Sequence, residues 1–369
     1  MKKLGFGCMR LPVNGDGSIN MDVLNRMADA FMEKGFTYFD TSYVYHNGNS
    51  EKVLKEALVK RYPRDSFTIT TKSPVFMIQS QQQFFDIFQE QLDRLGTDHV
   101  DYYWLHAINR NEYAKVQKYD LVGALKKLKE EGKTKHIGMS YHDSPELLDQ
   151  ILTEHPELEF VQLQLNYFDW DSPFVASREN YEVCRKHGKK VVVMEPVKGG
   201  NLASLPADIE AKMKAEDPDK SIASWGIRFA ASLENVYMVL SGMSDEAQMN
   251  DNLSYMENFV PLNEKEQAII REARKELRDS MPYRLEDFRQ AEEVCPMKIG
   301  ITRIVQMLNE RKASVNEGKV INTPIYYDLF LDGYGKAADC ICCGKCDGMV
   351  KGVDIPQLLK EADSRLRNW

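Results

Sequence analysis

The architecture that the sequence predicts is a closed parallel (β/α)8 TIM barrel followed by a small, mostly helical C-terminal extension. Two observations carry this reading. Short apolar strand patterns alternate eight times with amphipathic helical patterns over the first 260 residues, with no long run of consecutive strands. The rival, an open doubly wound sheet binding a dinucleotide, would want a Gly-x-Gly-x-x-Gly turn after a strand, and the chain has none.

The elements follow in order. Strands are expected at Lys3–Cys8, Tyr38–Thr41, Phe67–Lys72, Val100–His106, His136–Ser140, Phe160–Asn166, Val191–Pro196 and Tyr237–Gly242. Helical periodicity fills the intervals at Asp22–Lys34, Ser50–Lys60, Gln81–Leu95, Leu121–Glu131, Pro145–Glu154, Glu179–Lys186 and Ala223–Ser232, and Glu246–Asn258 follows the last strand. End signals agree: Asn20 precedes the first helix, Ser144 with Pro145 starts the fifth, and Gly35 and Gly132 close the first and fourth. A charged helical stretch, Asn263–Ser280, leads out of the barrel. The expected division is therefore a barrel over residues 1–280 and a cysteine-rich extension over 281–369.

Composition narrows the function. The 369 residues are 43% hydrophobic and 28% charged, enough for a sizeable core and too apolar for wholesale disorder. A net charge of −8 argues against nucleic acid and anionic membranes as partners. With no eighteen-residue apolar run and no signal-like start, a cytoplasmic location is expected. Seven cysteines, an odd number crowded towards the C-terminus, do not read as a disulfide framework.

In such barrels reacting groups gather at the C-terminal ends of strands. Those ends, with the loop after the second, present Asp40, Tyr45, Lys72 and His106. Singly, each has an ordinary reading as a helix cap, a solvated cation or a packed imidazole. Together, from three successive strands, they make a proton-donating site. A free tyrosine, with pKa near ~10, is a weak acid at neutrality, but an ammonium about 4 Å away at an effective dielectric near 20 favours phenolate by roughly 4 kcal/mol, about three pKa units. Asp40 would hold Lys72 charged, and His106 would donate to a substrate oxygen.

The chain resembles the aldo-keto reductases over about residues 1–260. The carrying residues are Gly5-Phe6-Gly7, Phe39-Asp40-Thr41-Ser42 with Tyr45, Thr71-Lys72, Leu105-His106, Ile137-Gly138-Met139-Ser140, Gln162, Asn166, Glu195-Pro196-Val197-Lys198-Gly199-Gly200 and Ser241-Gly242-Met243 with Asn252. The resemblance implies an NAD(P)H-dependent oxidoreductase that interconverts a carbonyl and an alcohol, with Tyr45 as proton donor. It implies cofactor contacts from Ser140 and Gln162 to the carboxamide, from Gly199 and Gly200 near the pyrophosphate, from Asn252 near the adenine, and from Pro196, Gly242 and Gln248. Tyr141-His142 stands where many relatives have Asn, which makes His142 a candidate pocket residue. NADPH-specific relatives present a Lys-Ser pair and a downstream Arg to the 2′-phosphate, whereas the corresponding positions here are Gly242, Met243 and Gln248. No strong NADPH preference is expected, with NADH serving at least as well.

The extension has its own motif. Cys340, Cys343 and Cys346 have the C-x2-C-x2-C spacing of an iron–sulfur site, and Cys295-Pro296 stands alone upstream. In a two-cluster arrangement with crossed ligands, the partners of the second cluster would fall at Leu285, Phe288, Ala291 and Met349 or Val350, none of them cysteine. One [4Fe–4S] cluster on Cys295, Cys340, Cys343 and Cys346 is therefore expected, similar to the ferredoxin-like tail of one aldo-keto reductase subgroup. Zinc on the same thiolates is the alternative. A structural role is expected, since hydride moves two electrons and a cluster normally takes one. Two other function classes stay open: an iron–sulfur electron-transfer protein and a nicotinamide-sensing module with little turnover. Substrate, direction of reaction, oligomeric state and any electron partner are not legible.

Overall fold

In the computed structural model, residues 2–172, 175–312, 327–328 and 331–367 are described. They form two compact units, 1–197 with 216–267 and 198–215 with 268–369. The division falls at 267/268, ahead of the 280/281 boundary expected from sequence, and the second unit also takes in 198–215. Part of the expected extension, residues 313–326, 329–330 and 368–369, lies outside the described residues.

The first unit is a closed barrel of eight parallel strands in sequence order. They are β1 (Leu4–Gly7), β2 (Tyr38–Asp40), β3 (Thr68–Ser73), β4 (Val100–Ile108), β5 (Thr134–Tyr141), β6 (Phe160–Gln164), β7 (Lys190–Met194) and β8 (Val236–Ser241), with β8 pairing back onto β1. The helices of this unit are α1 (Met21–Glu33), α2 (Ser50–Leu54), α3 (Gln81–Leu95), α4 (Arg110–Lys118), α5 (Leu121–Glu130), α6 (Pro145–Glu154), α7 (Ser177–Lys186), then, after α8 (Ala207–Glu216), α9 (Ile222–Ser232) and α10 (Glu246–Met256). Side-chain oxygens of Asn20, Ser80, Asp120, Ser144, Ser221 and Asp245 accept from backbone N–H groups in the first turns that follow them. The expected helix over Ser50–Lys60 changes character halfway: Lys55–Val59 is a π-turn. The helix α4 has no counterpart in the sequence reading. Its residues are largely polar, and Asn109, whose side chain accepts from the N–H groups of Asn111 and Glu112, starts it.

Two apolar layers hold the barrel. Between strands and helices lies the larger one, with the rings of Phe6, Phe31, Phe36 and Phe39 packed in mostly tilted and edge-on pairs at centroid separations of 5.2–5.7 Å. Inside the cylinder sit Tyr38, Tyr102, Trp104, Phe160, Val192, Met238 and Leu240. Each buried Phe of this kind contributes about 1.5–3 kcal/mol by leaving water. Gly138 is required in the inner layer: a Cβ there would lie 2.3 Å from the Phe160 carbonyl oxygen and 2.8 Å from the Trp104 ring. Among the described residues, no helix is long and apolar enough to cross a membrane.

The second unit contains most of α8 and of α11 (Glu264–Asp279), together with α12 (Arg289–Glu293), α13 (Ile301–Lys312) and a final helix over Ile355–Arg367. Among its described residues the strand content is one isolated bridge, Ile299 to Gly335. Asn309, fully buried, accepts from Tyr283 N–H at 3.0 Å and donates to its carbonyl at 2.7 Å.

Candidate active site

Strand parity builds the site. Side chains alternate faces along a strand, so a residue two positions beyond an inward one also points inward. Tyr38 and Trp104 belong to the inner layer, and Thr70 donates to the Tyr38 phenol oxygen at 2.6 Å. Two residues further on stand Asp40, His106 and Lys72. The same step leads from Gly138 to Ser140 and from Phe160 to Gln162. Five polar candidates thus sit one layer above the inner core, at the C-terminal end of the cylinder.

There they form a chain of contacts. Lys72 Nζ donates to Asp40 Oδ1 at 2.5 Å, to the Thr41 carbonyl at 2.8 Å and to the Tyr45 phenol oxygen at 3.3 Å. The His106 ring packs edge-on to Tyr45, with centroids 5.8 Å apart. Ser42 Oγ lies 3.0 Å from His106 Nδ1. A hydroxyl donating there leaves the proton on Nε2, so that nitrogen is the one free to donate.

Burial dominates the protonation of this cluster. It works against the Lys72 charge, but the Asp40 carboxylate and the Tyr45 phenol outweigh it and hold the ammonium above its ordinary pKa. Burial lifts Asp40 above the usual carboxylate value against the pull of Lys72. His106 is pushed far below the ordinary imidazole value by burial, then by Lys72 and His142, and is neutral at physiological pH. Tyr45 departs from the sequence expectation. Its pKa is raised, because burial outweighs the Lys72 cation. Charge attraction alone favours the phenolate, but taking it out of water costs more. Tyr45 is accordingly a neutral, protonated phenol, and Lys72 limits the rise in its pKa without reversing it.

The remaining candidates fall into place unevenly. Ser140 Oγ accepts from Ala107 N–H at 2.7 Å and keeps its own proton to donate. Gln162 Oε1 is buried with no hydrogen-bond partner among the described residues, and so is Asn252 Oδ1. Pro196 follows Glu195, and its carbonyl lies against Gly226 of α9, where a Cβ would approach to 2.7 Å. Gly199 and Gly200 form a tight turn with left-handed φ of 66° and 97°, and belong to the second unit. Gln248 spends its amide locally: it donates to Asp245 Oδ2 at 2.8 Å and accepts from Ser244 N–H at 3.0 Å. Met243 is buried, and a Cβ on Gly242 would lie 3.2 Å from the guanidinium of Arg10. Burial pushes His142 down to about 4.

Two features escaped the sequence reading. Arg10 pairs with Glu195 at 2.7 Å, joining the loop after β1 to the end of β7, where Glu195 holds a positive φ of 56°. Nothing in the local sequence marks a three-residue turn as the source of a rim cation. Ser42 beside His106 is the other, and its place directly after Asp40-Thr41 was the available signal.

Residues 3–275 match the aldo/keto reductase family. The chain belongs to that family. Aldo/keto reductases are oxidoreductases that act on small carbonyl or alcohol substrates. Among curated relatives, a probable aldo-keto reductase of Glycine max is 28% identical over 267 residues, covering 67% of this chain and 70% of its own. An aldo-keto reductase of Mycolicibacterium vanbaalenii is 31% identical over 228 residues, 61% of this chain and 74% of that one. Among solved structures, a Klebsiella pneumoniae aldo-keto reductase in complex with NADPH superposes with a TM-score of 0.61 at 19% identity, over 74% of this chain and 91% of that one, a likeness of fold. The family match stops short of the cysteine motif.

In the second unit, Cys295, Cys340, Cys343 and Cys346 line one small concavity with Pro296, Ile299, Pro356 and Leu359. Cys342 is exposed, while Cys8 and Cys184 are buried, their thiols pushed up by desolvation. Among the described residues, no three His, Cys, Asp or Glu side chains are already arranged around a point that could hold a metal ion.

Proposed function

We propose that this aldo/keto reductase interconverts a small carbonyl compound and its alcohol, with Tyr45 giving and taking the proton at the substrate oxygen. The observation that carries the reading is the continuous contact from Asp40 through Lys72 to the Tyr45 hydroxyl, with neutral His106 beside it. A nicotinamide cofactor, when bound, supplies the hydride. His106 Nε2–H orients the substrate oxygen. Tyr45 transfers its proton to that oxygen, and Lys72 stabilises the phenolate left behind. Asp40 keeps Lys72 charged and fixed.

The polar atoms left over suit such a cofactor. A carboxamide brings both donors and an acceptor, which answers the unpartnered Gln162 Oε1 and the free proton on Ser140. Asn252 Oδ1, equally unpartnered, suits an adenine amino group. Gly199 and Gly200 are assigned to the pyrophosphate stretch, and Pro196 to the cofactor, on the family resemblance. For the 2′-phosphate, Gln248 is committed to Asp245 and Met243 is buried, so NADH is proposed to serve at least as well as NADPH.

The reading for the second unit is one [4Fe–4S] cluster on Cys295, Cys340, Cys343 and Cys346, in a structural role. Its support is the lining of a single concavity by these four thiols, a soft donor set suited to iron–sulfur. Zinc is the alternative occupant.

The test is direct. The chain, purified without oxygen and given cofactor deuterated at the transferable position, is incubated with a panel of aldehydes and ketones. The expected product is an alcohol with one deuterium on the former carbonyl carbon. Cofactor binding with no labelled alcohol from any panel member would replace this reading by a sensing module.

A further inference from the structure

Behind the proton-donating pair lies a buried polar network that the reaction itself does not use. It starts on α3, where Gln91 and Arg94 stand one turn apart on the same face. Gln91, fully buried, donates through Nε2 to Glu51 Oε1 at 2.7 Å, to Thr71 Oγ1 at 2.9 Å and to the Lys72 carbonyl at 3.1 Å. Thr71 donates to the same Glu51 oxygen at 2.6 Å. The Tyr103 hydroxyl donates to Gln91 Oε1 at 2.7 Å, which fixes which end of the amide faces Glu51. Arg94 donates to the Tyr43 carbonyl at 3.0 Å and lies 3.4 Å from Glu51 Oε2. Its guanidinium also covers the Tyr43 ring at 3.9 Å, and Glu90 anchors it from the preceding turn at 2.7 Å.

These contacts divide into two sets. Glu51 and Tyr43 flank Tyr45, in the segment between β2 and the first turn of α2. Thr71 and the Lys72 carbonyl belong to β3, which carries the ammonium. One amide and one guanidinium on α3 therefore hold the donor's loop, and the amide holds it against the strand that carries its activator. The α3 side chains are one of two long-range supports of this loop. Its backbone bonds at the phenol are short-range turns, Tyr45 N–H to the Ser42 carbonyl and Gly48 N–H to the Tyr45 carbonyl, while on the other side Leu11 N–H donates to His46 Nε2 at 3.1 Å and Ser50 Oγ to the Cys8 carbonyl at 3.2 Å, so that α3 is the support facing Lys72. Gly48 has φ of +80°, a backbone conformation that L side chains rarely adopt, and it lets the loop turn beside the Arg94 guanidinium.

We propose that Gln91 and Arg94 are positioning residues for proton transfer, setting the distance between the Tyr45 hydroxyl and Lys72 Nζ. The proposal rests on Tyr45 being the proton donor. The separation they set, 3.3 Å, is at the long end of a hydrogen bond, where a further few tenths of an ångström weakens it. Loss of either clamp acts on the chemical step and spares cofactor binding, because neither residue touches the side chains of Ser140, Gln162 or Asn252.

The experiment compares Gln91→Leu, Arg94→Met and Arg94→Lys, each alone and the first two also combined with Tyr45→Phe, using the panel aldehyde that the wild-type chain reduces fastest. Gln91→Leu and Arg94→Met are expected to lower kcat about tenfold, with KM and the cofactor Kd within about twofold. Arg94→Lys, which keeps a donor and a cation, is expected to recover most of the rate. In the Tyr45→Phe background neither substitution should lower the residual rate further, since the distance they set no longer matters. Unchanged kcat in the folded single variants would overturn the proposal, as would an equal further loss in the Tyr45→Phe background. Should Gln91→Leu fail to fold, the two Arg94 variants decide the matter. Full activity of Tyr45→Phe by itself would instead overturn the assignment of the donor, a distinguishable outcome.

Discussion

Replacing Lys72 by Met removes the cation that moderates Tyr45 while keeping much of the side-chain volume. At the observed 3.3 Å, an ammonium in an environment of effective dielectric near 20 stabilises a phenolate by about 5 kcal/mol. If proton transfer is half advanced in the transition state, roughly half of that is felt, about 2.5 kcal/mol, or ~70-fold in rate. The substitution also leaves Asp40 buried without its partner, at a cost of about 3–5 kcal/mol in stability. Rate and stability can be separated with a second variant, Asp40→Asn/Lys72→Met, in which neither charge is present. It should regain most of the stability and none of the rate. The assay is single-turnover reduction with saturating cofactor, read by loss of dihydronicotinamide absorbance, beside urea unfolding of the same preparations. A Lys72→Met chain reducing its best aldehyde within about threefold of wild type would refute the electrostatic reasoning, as would recovery of rate in the double variant.

Further outcomes follow from the same geometry. His106 is held far below the ordinary imidazole pKa, so it is neutral above mildly acidic pH; kcat/KM for reduction should show no histidine limb between about pH 5.5 and 8, and a limb there that vanishes in His106→Gln would contradict this. In paired titrations NADH should bind at least as tightly as NADPH, and Gln248→Arg should tighten NADPH about tenfold or more by supplying a charge-assisted bond; a large wild-type preference for NADPH would count against the reading. Chain purified without oxygen should contain iron and acid-labile sulfide in equal amounts, lost in Cys343→Ser and kept in Cys342→Ser, whereas zinc without sulfide would replace the cluster by the alternative metal. Glu266→Ala should cost roughly 3 kcal/mol in urea unfolding, because it removes a 2.5 Å partner from the almost fully buried Arg228 and leaves it only Asp217 at 3.7 Å.

Much of the barrel could be read from the chain because its signals are local. Alternation of strand and helix periods, a cap at Ser144 with Pro145, and polar residues closing apolar strands all lie within a few positions of the elements they mark. Asp40, Lys72 and His106 were legible for that reason, since a closed parallel barrel brings successive strand ends to one rim. What escaped depends on distance along the chain. Gln91 meets Glu51 across forty residues, and Arg10 meets Glu195 across 185. No periodicity records such meetings. The raised pKa of Tyr45 escaped for a different reason, since the Coulomb attraction of Lys72 can be estimated from a supposed distance but desolvation needs the packed site. In the second unit the cysteine spacing and the charged helical stretch Asn263–Ser280 were plain, while a short segment such as Arg289–Glu293 was not, because it carries less than two turns of pattern.

The most direct trial of the account is Tyr45→Phe, with cofactor affinity and single-turnover aldehyde reduction measured on one preparation. The hydroxyl is the only group removed, and Lys72, Asp40 and His106 stay in place. A cofactor Kd within about twofold of wild type and a reduction rate at least ~100-fold lower are expected. A phenylalanine chain that binds cofactor normally and still reduces the aldehyde near the wild-type rate would contradict this.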